Sequence, residues 1–447
     1  MKKVITYGTY DLLHHGHIRL LERAKALGDY LIVGVTADSF DQARGKINVE
    51  QSLMERLEAV RATGIADEII IEEYEGQKID DIRRYGVDIF AIGSDWRGKF
   101  DYLSDYCQVV YLDRTEGISS TELRAKDHRL RLGLVGESPI INKIERESHF
   151  VNGLEISGVC SANARHLSPS LRRQAMPMEQ LDSLIGQSDA LYVISKPSLH
   201  YEHLRRALER GCHVLCESPL AISQQQLAEL KRVAREHGCQ LADSLKTAYS
   251  TAYSRLVLLA KSGVIGEVKS VDATCTSMTN LEMSDKHDMD YLWNSIGAWG
   301  PTALLPIFHL LGTDYVDKTI TTHLVDADSD FDTFTKIAFT YPHAVASLKV
   351  GQGVKSEGSL VVSGTKGYIY VPAPWWKTDY FEVRYENPAD NRRYFYQLDG
   401  EGIRYMLVSF MKSIQTNRPS PYLEETVSDA IVSVMADFYD KRDVVLI

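Results

Sequence analysis

The sequence predicts an α/β chain of three domains: two successive strand–helix series and a closing α+β domain. Three observations carry this. The chain has 447 residues, which at roughly 150 per domain suggests about three. Short apolar strands alternate with amphipathic helices up to about residue 128, and the alternation restarts at Arg131. From about Lys269 the texture changes to long β-rich runs, and helices return only at the end. The expected domains are 1–128, 129–245 and 246–447.

The first series opens with a strand over Lys3–Gly8 and a helix over Ile18–Leu27. A strand over Tyr30–Thr36 and a helix over Gln51–Thr63 follow, then short strands at Glu68–Ile71, Ile89–Ile92 and Val109–Leu112. Strands alternating with helices imply a parallel sheet covered on both faces. The link Arg124–Arg131 is charged and free of Gly and Pro, so no floppy tether is expected. The second series has strands at Arg131–Val135, Ile156–Cys160, Ala190–Ile194 and His213–Glu217, with helices at Tyr201–Arg210 and Gln224–His237. The closing domain has strands at Ser270–Thr276, Thr333–Thr340, Ala344–Val350, Ser359–Ser363, Tyr368–Val371 and Phe381–Tyr385. Its helices lie near Ile403–Thr416 and Glu424–Tyr439.

Composition narrows the class. Fifty Lys and Arg against 61 Asp and Glu give a net charge of −11, which argues against coating nucleic acid or an anionic membrane. No window approaches the ~18 consecutive apolar residues of a membrane span. The first strand starts three residues after Met1, so no signal peptide is expected. The six cysteines form no C-x-x-C pair; they are expected to be reduced core thiols in a cytoplasmic protein rather than metal ligands.

The first chemical signal is a strand, then Gly8-Thr9-Tyr10-Asp11, then His14-His15-Gly16-His17 at a helix start. A glycine after a strand admits phosphate to the backbone. Two histidines three apart aim imidazoles and a helix N-terminus at one anion. That suits charge growing on an α-phosphate and a departing pyrophosphate.

The stretches VITYGTYDLLHHGHIRLLERAK, GSDWRGKF and RTEGISST (Arg114–Thr121) resemble the HxGH nucleotidyltransferases, and within them the glycerol-3-phosphate cytidylyltransferases. The resemblance implies a Rossmann-like nucleotidyltransferase domain using CTP and Mg²⁺. It implies that His14 and His17 stabilise the pentavalent α-phosphate. Gly8, Thr9, Tyr10, Asp11 and Gly16 would line the nucleotide pocket. Lys46 and Arg56 would hold the triphosphate or acceptor phosphate, and Asp95 would meet the acceptor or metal region. Arg114, Gly117, Ile118, Ser119 and Ser120 would contact base, ribose and phosphates.

The second series supplies only Gly136 of a G-x-G-x-x-G fingerprint, in Gly133-Leu-Val-Gly136-Glu137-Ser138. Downstream, ALYVISKPSLHYEHLRRALERGCHVLCESPLAIS and GTKGYIYVPAPWWKTDYFEVRYE resemble the Gfo/Idh/MocA oxidoreductases. That implies an NAD(P)-binding Rossmann domain and an open, mostly antiparallel sheet domain for substrate and homo-oligomer formation. Gly136, Ser138, Ser161, Arg165, Pro197, His200, Glu217 and Pro219 would border the dinucleotide.

The chain departs from that family where chemistry is expected. The usual E-K-P is Glu217-Ser218-Pro219, and the usual Asp and His of a later helix are Ala298 and Thr302. Lys196, Lys246, Tyr291 and Trp293 are the remaining candidates, with Lys196 and Tyr291 taken as catalytic. Strand two ends at Ser161 rather than an acid, with Arg165 following. This removes repulsion of a 2′-phosphate and points to NADP(H).

A reductase joined to a cytidylyltransferase suggests consecutive steps: reduction of a sugar phosphate to a pentitol or hexitol phosphate, then CMP transfer from CTP, feeding capsule or cell-wall polymers. The alternative is a glycerol-phosphate cytidylyltransferase whose second half binds dinucleotide or product without turnover.

Overall fold

The computed structural model describes residues 1–37, 49, 51–73, 76–113, 129–151, 153–278, 293–326, 331–396 and 398–447. Two compact units divide the chain, Met1–Arg129 and Leu130–Ile447.

In the first unit five parallel strands are described: β1 (Lys3–Gly8), β2 (Tyr30–Thr36), β3 (Glu68–Glu72), β4 (Ile89–Gly93) and β5 (Gln108–Leu112). Their order is β3-β2-β1-β4-β5. Each central strand is apolar on both faces because helices cover both. Val4 and Val33 pack with Leu21, Leu57 and Val60, while Ile5 and Ile32 face Ile82, Phe90 and Leu103. Helix Leu53–Ala62 begins in a capping box: Ser52 and Glu55 satisfy each other's backbone N–H groups. Helix Gln77–Tyr85 was not expected, since its buried face includes Gln77, Lys78 and Asp81. Those polar groups are paired: Lys78 with Glu72, and Asp81 with the Tyr7 hydroxyl at 2.8 Å. The Arg124–Arg131 link lies largely outside the described residues.

In the second unit strands β6 (Leu130–Val135), β7 (Leu154–Cys160), β8 (Ala175–Met176), β9 (Ala190–Val193), β10 (His213–Cys216) and β11 (Leu241–Asp243) form a parallel sheet. Their order is β11-β10-β9-β6-β7-β8. The reversal of direction lies between β6 and β9, where a doubly wound sheet opens a crevice at its carboxyl ends.

A nine-stranded sheet follows: β12 (Val268–Thr276), β13 (Asp317–Leu324), β14 (Asp332–Thr340), β15 (Val345–Gly351), β16 (Leu360–Gly364), β17 (Tyr368–Val371), β18 (Tyr380–Arg384), β19 (Arg392–Phe395) and β20 (Val444–Leu446). It is mixed: β12–β15 and β13–β20 are parallel, and the other pairs antiparallel. Alternating burial along β14 shows one face turned to a core. Helix Ser295–Leu311 lies across β12, β14 and β15 and is almost wholly apolar. Among the described residues no helix is long and apolar enough to cross a membrane.

Candidate functional site

In the first unit the sheet reverses direction between β1 and β4. The Gly8–Asp11 loop leaves β1 and the Ser94–Trp96 turn leaves β4, so the expected nucleotide loop and Asp95 flank the same crevice. The β1 loop is strained. Tyr10 and Leu12 hold left-handed backbone (φ 53° and 47°), costing about 1–2 kcal/mol each. Hydrogen bonds hold it: the Leu12 N–H donates to Gln51 Oε1 at 2.8 Å, and the Gln51 N–H donates to Asp11 Oδ1 at 3.0 Å. A Cβ on Gly8 would meet the Tyr10 ring at 3.0 Å, so glycine gives that ring room to fold back over the strand end.

His14 is the N-cap of helix His15–Lys25, its Nδ1 accepting from the Gly16 N–H at 3.1 Å. The His14 and His17 rings stack at 3.9 Å, and His17 meets Tyr10 edge-on at 5.6 Å. The two imidazoles therefore act as one block beside a helix N-terminus, an arrangement that stabilises an anion.

Arg56 has a different place from the one expected. It is fully buried, donating from Nη1 to the carbonyls of Thr9 at 2.6 Å and Thr36 at 2.9 Å, and from Nε to Gln51 at 3.1 Å. These bonds fix the nucleotide loop from beneath; in this geometry Arg56 positions the loop instead of gripping phosphate. Lys46, Arg114, Gly117, Ile118, Ser119 and Ser120 lie outside the described residues, as does Tyr291 of the second unit.

The second unit holds a cavity of about 680 Å³ between its two sheets. Glu137, Ser138, Ile140, Lys143, Asn163 and His166 line it from the dinucleotide-type sheet, with Glu217 and Ser218 beyond. Ala298, Thr302, Trp293, Trp299, Trp376 and Lys377 close the other side. The two positions that depart from the expected acid and histidine, Ala298 and Thr302, thus face the cavity. The start of their helix is fixed by Asn294, which caps Gly297, and by buried Asp332, which accepts the Ile296 N–H at 3.0 Å. Burial pushes Asp332 up to about 6.

Gly136 fits a dinucleotide turn. Its φ is 134°, and a Cβ would lie 2.5 Å from the Ile194 carbonyl carbon, so backbone passes where any side chain would collide. Of the other residues expected to bind the cofactor, Ser138 and Glu217 line the cavity. Ser161, Pro197 and Pro219 are buried beside it, and Lys196 stands at the start of helix Pro197–Leu208, off the lining.

His200 has a different place from the one expected. His200 is fully buried, wedged between the carbonyls of Pro219 and Ser195, each 2.7 Å from a ring nitrogen. Burial holds its imidazole down at about 4, and the ring braces two loops without lining the cavity. Arg165 is exposed and off the lining. A carboxylate that the sequence reading overlooked stands at that strand end: Glu137 accepts the Ala162 N–H at 3.2 Å, and burial raises its pKa.

Two polar networks border the cavity. Glu217 accepts from the Tyr192 hydroxyl and from Ser244 Oγ at 3.2 Å, and burial raises its pKa. Ser218, where the family carries lysine, donates to buried Asp243 Oδ2 at 3.1 Å. Burial pushes Asp243 up to about 7. Asp243, Tyr192 and Ser244 lie on strand ends with no motif to mark them. Lys143, Lys246 and Lys377 converge on Glu401, from positions up to 258 residues apart.

Comparison with known proteins agrees with this layout. Residues 5–126 match the cytidylyltransferase-like family, and residues 131–243 match the oxidoreductase family with an NAD-binding Rossmann fold. Glycerol-3-phosphate cytidylyltransferase of Bacillus spizizenii is 51% identical over 124 residues, covering 28% of this chain and 95% of that protein. The D-glucoside 3-dehydrogenase of Escherichia coli is 29% identical over 144 residues, covering 31% of this chain and 41% of its own length. Among solved structures, the 3-ketoreductase KijD10 of Actinomadura kijaniata, in complex with NADP and TDP-benzene, superposes with a TM-score of 0.61 at 19% identity. That covers 72% of this chain and 99% of that one. The aldose-aldose oxidoreductase of Caulobacter crescentus gives a TM-score of 0.61 at 17% identity, over 70% of this chain and 98% of its own. Both structural likenesses establish the fold.

Proposed function

The chain belongs to the cytidylyltransferase-like family and carries a Gfo/Idh/MocA oxidoreductase domain, and from that premise we propose that it reduces a sugar phosphate and transfers CMP from CTP to the resulting polyol phosphate. The observation that carries the proposal is a chain with two cores of its own, one bearing the stacked His14–His17 pair and the other a cavity behind Gly136. The acceptor would be a pentitol or hexitol phosphate, and the product would serve capsule or cell-wall polymers.

In the transferase the acceptor phosphate attacks the α-phosphorus of CTP and pyrophosphate leaves. His14, His17 and the helix start face the charge that grows there, and Arg56 holds the Gly8–Asp11 loop in register. Among the described residues no three His, Cys, Asp or Glu side chains are placed to hold a metal. Mg²⁺ would enter with the triphosphate of CTP and offset its charge.

In the reductase a bound nicotinamide supplies the hydride. The Trp299 and Trp376 rings, 4.9 Å apart, offer an apolar wall for the C–H face of a sugar. Ser218 stands in the cavity on Asp243, and this pair delivers the proton that the carbonyl oxygen takes up as it becomes a hydroxyl. NADP(H) is the proposed form, resting on Ser161 where an acid would bind a 2′-hydroxyl and on Arg165 four residues on. KijD10 was solved with NADP, which accords with it.

The alternative remains that the second unit only binds dinucleotide or product; Ser218, Ala298 and Thr302 together favour it. One assay separates the two. The protein is incubated with CTP, Mg²⁺, NADPH and a panel of pentose and hexose phosphates, and NADPH loss and pyrophosphate release are followed separately. The consecutive-step reading requires a sugar phosphate that oxidises NADPH and whose reduced form then releases pyrophosphate. If glycerol 3-phosphate is the preferred CMP acceptor and no sugar phosphate consumes NADPH, the binding-module reading replaces it.

A further inference from the structure

Three lysines from three segments meet at one carboxylate on the cavity wall. Lys143 comes from helix Ile141–Ser148, Lys246 from the turn after β11, and Lys377 from the turn Trp375–Lys377. Their ammonium nitrogens lie 2.8, 3.1 and 3.1 Å from the Glu401 carboxylate oxygens. All three line the cavity, and His166 adds an imidazole. Three ammoniums share one carboxylate at this point, in a chain whose net charge is −11; Glu137 and Glu217 also line the cavity, where burial disfavours their charged forms. Each ammonium has three protons. One directed at Glu401 leaves two for a ligand.

The carboxylate is placed there at a cost. Gly400, Glu401 and Gly402 all hold left-handed backbone, with φ of 58°, 54° and 86°. Glu401 carries a Cβ, so its conformation costs about 1–2 kcal/mol. Its neighbours must be glycine: a Cβ on Gly400 would collide with the Glu147 carboxylate, and one on Gly402 would lie 2.6 Å from the Lys246 carbonyl. A surface ion pair that did nothing would not need such a turn. Glu401 instead gathers three mutually repelling ammoniums and fixes their spacing. Lys246 follows β11, three strands from β6 in its sheet, and Lys377 lies in the turn before β18 of the other sheet, whereas Lys143 stands on the helix after the Gly136 turn, where a dinucleotide pyrophosphate would lie. Trp376 precedes Lys377 and packs against Trp299 with the rings tilted, setting an apolar wall beside the cationic one.

We infer that Lys143, Lys246 and Lys377 form a phosphoryl subsite at the substrate end of this cavity, so that the molecule reduced carries a phosphoryl group. This rests on the second unit being a reductase. The phosphoryl group has two chemical sources, a sugar monophosphate or the diphosphate of a CDP-linked sugar, and they order the two reactions differently. A monophosphate places reduction before CMP transfer; a CDP-linked sugar places it after.

The test uses the full chain, its Lys143→Gln and Lys377→Gln variants, and the double variant. NADPH oxidation is measured with a pentose phosphate, the free pentose and a CDP-linked pentose. NADPH binding is read by fluorescence. Loss of a charge-assisted hydrogen bond is expected to raise KM for the phosphorylated substrate about 10-fold or more per lysine. Turnover at saturation and NADPH affinity should change much less. Whichever phosphorylated substrate shows this lysine dependence identifies the source. An unchanged KM, or an equal change for the free pentose, overturns the subsite. If the wild type oxidises NADPH with none of these, the reductase reading fails, and titration with inorganic phosphate then decides the subsite. Binding by the wild type that the double variant loses sustains it; equal binding by both removes it.

Discussion

Replacing Asp243 with Asn separates stability from chemistry at one buried carboxyl. Asp243 ends β11 and accepts the Ser218 hydroxyl at 3.1 Å. Burial, with the Glu217 charge adding to it, moves its pKa from 3.8 to about 7. A folded pKa above the unfolded one means that the stability it contributes is fully present below about 3.8 and is lost as pH rises through about 7. A shift of roughly three units at 1.36 kcal/mol each is about 4 kcal/mol. Asn keeps the shape and an acceptor for Ser218 but cannot ionise. Between pH 4 and pH 8 the wild type should therefore lose about 4 kcal/mol relative to Asp243→Asn, a relative fall in Tm of about 5–10 °C. Tryptophan fluorescence during thermal unfolding suits the measurement, since four of the five tryptophans (Trp293, Trp299, Trp375 and Trp376) belong to the second unit. The reductase rate should fall over the same range: protonated Asp243 supplies the proton, so the wild-type rate falls as pH rises through about 7. Asp243→Asn should lose about 10²-fold and lack that limb. Parallel Tm–pH curves for the two proteins would refute the buried-carboxyl argument. An unchanged rate would remove Asp243 from proton delivery.

Other outcomes follow from the same geometry. His17→Ala removes one donor beside the growing charge and should cut pyrophosphate release about 10²- to 10³-fold, with the chain still folded by circular dichroism. Arg56→Ala strands the carbonyls of Thr9 and Thr36 and should destabilise the first unit by about 3 kcal/mol in urea unfolding. Glu137→Gln removes a carboxylate from the strand end where a 2′-phosphate would lie, so the ratio of NADPH to NADH affinity should rise; Arg165→Ala should lower it, and equal effects on both dinucleotides would count against either role. Gly136→Ala puts a methyl 2.5 Å from the Ile194 carbonyl carbon and should abolish dinucleotide binding by calorimetry.

Most of the strands were legible because parallel strands covered on both faces read as uninterrupted apolar runs, as in Tyr30–Thr36, which the structure reproduces residue for residue. What escaped had a polar buried face or a weak alternation. Helix Gln77–Tyr85 hides Gln77, Lys78 and Asp81, and β13 is a Thr-rich strand flanked by polar residues. In the sites, local spacing carried the signal. His14 and His17 stand one helical turn apart, so their meeting is written in four residues. Lys143 and Glu401 are 258 residues apart, and only the nine-stranded sheet and its helices bring them together. The short Gly-Glu-Gly at 400–402 was their one local trace. Arg56 and His200 looked like ligands because sequence gives residue type without depth; both are fully buried on backbone carbonyls.

The distribution of thiols offers a chemical record of which unit opens. None of the six cysteines is in a disulfide, and Cys160, Cys212, Cys216, Cys239 and Cys275 are all buried in the second unit, while half-buried Cys107 is in the first. Burial pushes each thiol up, Cys212 to about 12 and Cys160 to about 11, so the folded protein presents little thiolate. A brief pulse of alkylating reagent during warming or denaturant exposure would then add mass in steps. One added group marks loosening around β5, whereas five arriving together mark cooperative loss of the oxidoreductase core. Counting those groups by mass spectrometry would give each unit its own unfolding curve from a single unmodified chain.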